Sequence, residues 1–70
     1  MSSRELFTWT VHLCDASGVV THTYPFEVIA SVEDASEVAA GFVESGDWPP
    51  VPEGCAVGVA RKELVGCIKN

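Results

Sequence analysis

The sequence predicts an α+β fold, a single small domain in which an antiparallel sheet of three to four strands packs on one amphipathic helix in the order ββαβ. Three observations carry this. Residues 6–14 alternate apolar and polar with period two, residues 32–45 place apolar side chains at helical spacing, and a proline-rich stretch at 47–54 separates that helix from further β-type sequence.

In the first strand, Phe7, Trp9, Val11 and Leu13 point to one face and Thr8, Thr10 and His12 to the other. Asp15-Ala16-Ser17-Gly18 supplies turn residues, and a second β-rich run covers 19–30, so the two read as a hairpin. Setting Cys14 opposite Val19 places Leu13 against Val20, Val11 against His22, Trp9 against Tyr24 and Phe7 against Phe26, a stack of four aromatic rings on one face. Pro25 has no N–H to give to a ladder, which assigns its strand to an edge or its position to a bulge.

Ser31 with Asp34 three residues on resembles a capping box that opens a helix over 32–45. Ala35, Val38, Ala39, Phe42 and Val43 share one side of it; Glu33, Glu37 and Glu44 fall within ~40° of one another on the opposite side. Gly46 supplies the stop. The stretch Asp47 to Gly54 crosses the surface in extended form, pinned by Trp48, and residues 55–61 return as a third strand. The tail suits either a fourth strand over 64–69 or a short helical turn, with the strand preferred.

A chain of 70 residues is one domain with a thin core and little room for an enclosed pocket, which speaks against an enzyme. Its apolar fraction of 47% is that of a folded chain. No uncharged stretch approaches the ~20 residues a membrane span needs, and Met1 to Glu5 lacks a basic leader pattern, so a cytoplasmic location is expected. Cys14, Cys55 and Cys67 have no disulfide or CxxC spacing and read as reduced thiols, leaving open a Cys14–Cys55 or Cys14–Cys67 contact across a sheet.

The charge distribution is the most informative feature. Nine acids and no Lys or Arg lie between Glu5 and Ala60; the four basic residues, Arg4, Arg61, Lys62 and Lys69, sit at the two ends. Exposed helices ordinarily mix both signs, because Glu and Lys at i, i+4 stabilise them by ~0.2–0.5 kcal/mol. The helix here forgoes that. Glu33, Asp34, Glu37, Glu44, Asp47 and Glu53, with Trp48 as an aromatic anchor, are therefore the candidate partner-binding residues. Such a field repels nucleic acid and attracts basic surfaces.

Other chemistry has less to stand on. His12 and Cys14 share one face of the hairpin and His22 takes the other, so they do not converge as metal ligands, and no metal or other cofactor is expected. Ser, Cys, His and carboxylate residues lack any nucleophile spacing, and the glycines lack a phosphate-loop ending, so no catalytic residues are assigned. Glu5, Glu27 and Glu63 read as solvent-facing charges near strand ends.

In size, in the base-free span and in the stripe Glu33, Glu37, Glu44 with Asp34 and Asp47, the chain resembles the small acidic anti-CRISPR proteins of phages and mobile elements that mimic nucleic acid. That group shares no motif, so no residue role passes from it. The resemblance implies a non-catalytic inhibitor in the host bacterial cytosol, one that covers a basic DNA-contact surface of a Cascade-type complex without binding nucleic acid or membrane itself. A monomer or weak dimer is expected. An antitoxin or immunity-type protein-binding module and a small homodimeric structural domain are the alternatives.

Overall fold

Strand β1 (Ser3–Cys14) lies at the centre of a three-stranded antiparallel sheet of order β2-β1-β3, with β2 (Val20–Ala30) and β3 (Ala56–Lys69) on its two sides and one helix, α1 (Ala35–Ser45), across one face. This is a computed structural model that describes residues 3–69; Met1, Ser2 and Asn70, at the ends of the sequences read above as the N-terminus and tail, lie outside the described residues. Among the described residues the order is ββαβ, with three strands and one helix.

The β1 alternation appears as expected. Trp9, Val11 and Leu13 are buried, and they meet Tyr24, Val28 and Ala30 of β2 and Ala35, Ala39 and Val43 of α1. The indole N–H of Trp9 donates to the Ala30 carbonyl at 2.8 Å, so a large aromatic is buried without stranding its polar atom. The turn between β1 and β2 is closed by Asp15, whose Oδ1 accepts from the Ser17 amide (2.9 Å), the Ser17 hydroxyl (2.6 Å) and the Val19 amide (3.1 Å). These bonds, led by the Ser17 hydroxyl, hold the Asp15 carboxyl below its ordinary value of 3.8. Gly18 takes the left-handed conformation that the turn needs, with φ 88°.

The hairpin register differs from the simple one. Trp9 faces Val28 and Phe7 faces Ala30, four residues beyond the partners expected, with Leu13 opposite His22 and Cys14 opposite Val20. The ladder breaks in two places. Between Thr10↔Glu27 and His12↔Thr23, Tyr24, Pro25 and Phe26 all stand against Val11 alone. Pro25 offers no N–H there, and the strand loops past its neighbour on a sheet edge. The displacement at Trp9 is even, so Tyr24, Phe26 and Val28 still face the core.

Two further expectations are corrected. The helix starts at Ala35, not at residue 32. The Ser31 carbonyl accepts from the amides of Asp34 (3.1 Å) and Ala35 (3.0 Å), and the Ser31 hydroxyl donates to the Asp34 carboxylate (3.1 Å) instead of capping a backbone amide, so residues 32–34 form a turn ahead of the helix. No separate fourth strand exists among the described residues, because 56–69 is one continuous strand antiparallel to β1. Extra residues at Lys62–Glu63 and at Val65 shift its pairing, which is why the sequence reads as two short segments.

Past Phe7, β1 outruns β2: Ser3 to Leu6 pair only with Gly66 to Lys69. This two-stranded arm lengthens the molecule to 42 × 25 × 19 Å. No helix among the described residues is long and apolar enough to cross a membrane.

Candidate functional site

The helix packs through Ala35, Ala39 and Val43, one residue per turn, and small side chains there let it approach the sheet closely. That orientation leaves Glu37 and Glu44 on the opposite side, two turns and about 10 Å apart along the axis, both exposed. Phe42 falls at the margin and is 54% exposed, with its ring 5.9 Å from that of Phe26.

Glu33 and Asp34 lie in the turn before the helix and are not part of its stripe. Asp34 receives Arg4 Nη1 at 3.2 Å as well as the Ser31 hydroxyl. Glu33 borders a shallow groove shared with Arg4, Glu5 and Arg61, so its field is partly offset. Past the helix, Asp47 and Glu53 are exposed at the two ends of the proline-rich loop. Among the described residues, Glu37, Glu44, Asp47 and Glu53 have no ion-pair partner, since the ion pairs are Arg4–Asp34 and Lys62–Glu27. Lys62 Nζ reaches Glu27 at 2.5 Å across the helix-free face, and the carboxylate raises the lysine above its ordinary 10.5. Arg61 stacks its guanidinium 5.0 Å over Phe7.

Trp48 is half-buried. Its indole lies 5.3 Å from the ring of Tyr24 and 5.3 Å from that of Phe26, so it pins the loop to the sheet as the sequence suggests. Gly46 is the helix stop, yet with φ −90° it is not left-handed; a Cβ there would collide with the Trp48 indole, so close approach is what demands glycine. Cys55 N–H donates to the Pro52 carbonyl at 3.0 Å around Gly54 (φ 84°), which turns the chain into β3.

The proline loop borders two grooves that the charge pattern does not reveal. One, of about 350 Å³, runs along Val43, Glu44, Trp48 and Val51; the other, of about 330 Å³, lies beside Leu13, His22 and Tyr24, with Pro49 and Pro50 forming the ridge between them. A proline cluster following a helix and facing an aromatic strand is the signal that could have marked them.

Cys14, Cys55 and Cys67 are free thiols. Cys67 pairs with Glu5 in the arm while Cys14 pairs with Ala56 at the hairpin end, roughly 35 Å of strand away, which removes the Cys14–Cys67 contact. His12 lies over Gly58, where a Cβ would come within 2.6 Å of its Nε2. His22 stands edge-on to Tyr24 at 5.0 Å. No three His, Cys, Asp or Glu side chains converge for a metal among the described residues. Comparison of the chain with protein-family models, curated proteins and solved structures finds no match.

Proposed function

We propose that the chain is a non-catalytic binding domain whose helix and loop side meets a basic, nucleic-acid-binding surface of a protein partner, as an inhibitor of the anti-CRISPR kind acting on a Cascade-type complex in the bacterial cytosol. Glu37, Glu44, Asp47 and Glu53 form the centre of that face, with Glu33, Asp34 and Trp48 at its margins. One observation carries the reading: these four carboxylates lack ion-pair partners among the described residues, while Arg4 and Lys62 are engaged by other acids and Arg61 by Phe7. Carboxylates presented this way can replace phosphates in a Lys/Arg groove and release the counterions held there.

The test is DNA binding by a purified Cascade-type complex with and without the chain. The wild type should reduce it, and Glu37→Lys/Glu44→Lys/Glu53→Lys should lose at least tenfold in potency with its melting temperature nearly unchanged, because exposed substitutions cost about 0.5 kcal/mol or less. Undiminished inhibition by the triple variant, or none by the wild type, rejects the reading. A homodimer has one observation in its favour, the exposed Leu64 (55%), Val65 (49%) and Ile68 (48%) on the free side of β3; light scattering at rising concentration decides it.

A further inference from the structure

The geometry points to the groove between β2 and the proline loop as an anchor pocket for one apolar side chain of a basic peptide segment. Its floor is Leu13, His22 and Tyr24, its wall Pro49, Pro50 and Pro52, and its volume is about 330 Å³. That lies at the lower end of the ~300–1,000 Å³ typical of ligand sites, room for one or two side chains.

Tyr24 is the informative residue. It is only 5% exposed, with its ring held by Trp48, Phe26 and His22, yet its hydroxyl makes no hydrogen bond among the described residues. Among the described residues no enclosed side-chain N or O goes without a partner, so that oxygen lies in the accessible part of Tyr24, a residue that lines the groove. A buried phenol ordinarily finds a partner. The Tyr24 hydroxyl, being accessible, meets water in the free protein, and an incoming carbonyl can take that water's place.

No acid lines the groove itself, so the charge that selects its occupant comes from neighbouring residues. Glu53 follows Pro52 directly, and Glu44 stands in the neighbouring groove across the Pro49-Pro50 ridge, while no Lys or Arg occurs between Glu5 and Ala60. An extended segment with Lys or Arg on either side of a leucine-like residue complements this arrangement. For its basic flanks the inference rests on the acidic-face reading above; the apolar anchor rests on the groove itself. Interfaces concentrate binding in such desolvated pockets, with rim charges adding selectivity.

Three capped pentapeptides separate these parts: leucine between two arginines on each side, glycine in the same frame, and leucine between two serines on each side. Trp48 fluorescence and the amide resonances of His22 and Tyr24 report the titration. The arginine–leucine peptide should shift His22 and Tyr24 and bind about tenfold more tightly than the glycine peptide. Tyr24→Phe, which keeps the ring and removes a hydroxyl that bonds no other described residue, should weaken it about threefold or more. Equal affinity for leucine and glycine peptides, with shifts confined to α1, overturns the pocket and leaves the acidic face standing. Equal affinity for serine-flanked and arginine-flanked leucine overturns the acidic face and leaves the pocket. Failure of all three to bind overturns the proposal.

Discussion

The two ends of the sheet are built from the same kind of alternating strand and have opposite fates. Between Trp9 and Leu13, β1 has β2 on one side, β3 on the other and α1 on its face, and Trp9, Val11 and Leu13 fall to 7%, 0% and 7% exposure. In the arm beyond Phe7, with one neighbour and no helix, Ile68 remains about half exposed. Alternation alone does not make a core; a second layer does. Charge divides along a similar line, with Arg4, Arg61, Lys62 and Lys69 towards the arm and Glu37, Glu44, Asp47 and Glu53 around the helix and loop, although Glu5 and Glu63 also lie on the arm side.

The sharpest way to break this comparison is to remove one side chain from each end. Trp9→Ala should cost about 3–5 kcal/mol, a large part of the roughly 4–10 kcal/mol expected for a chain of this length, while Ile68→Ala should cost about 0.5 kcal/mol or less. Urea denaturation measures both. A loss at Ile68 rivalling that at Trp9 would mean that the arm is covered in solution.

Much of the covered end was legible in the sequence, and the arm was not. The core face of β1 follows from strict alternation, and Trp48 from a tryptophan beside prolines. The hairpin register was not readable: Pro25 announces an irregularity, but how many residues loop out depends on how Tyr24 and Phe26 seat against Trp48 and Phe42, which lie much later in the chain. Likewise β3 looked like two pieces because its bulges interrupt the period. Arg4–Asp34 and Lys62–Glu27 join residues 30 and 35 apart, and no local pattern encodes them. They decide which carboxylates stay unpaired, so the candidate site was visible in composition and only partly in position.

A smaller effect sharpens the comparison within the covered end. Gly46→Val forces the Trp48 indole off its seat and should cost about 1–3 kcal/mol, with a red shift of Trp emission as the loop loosens. An unchanged spectrum would show that the indole is not held there.

The smallest effects are pH-dependent and act on opposite limbs. Because the Asp15 carboxyl lies below its unfolded value of 3.8, its contribution is complete above that value and fades as pH falls through the folded one. Asp15→Asn should flatten the acid limb of stability. Lys62 lies above its unfolded 10.5, so its contribution is complete below that and fades as pH rises through the folded value; Lys62→Met should flatten the alkaline limb. Acid and alkaline melting curves of the two variants check the assignment; an unchanged acid limb in Asp15→Asn, or an unchanged alkaline limb in Lys62→Met, contradicts it.

The bulges in β3 have a consequence for how copies of this chain meet at high concentration. A free edge 14 residues long, bearing exposed Leu64, Val65 and Ile68, is the kind of template on which strands stack into fibrils. The extra residues at Lys62–Glu63 and Val65 bend that edge and set its donors and acceptors out of step, so an incoming strand matches it for only a few residues. The irregularity that hid the strand from sequence inspection also guards it against aggregation.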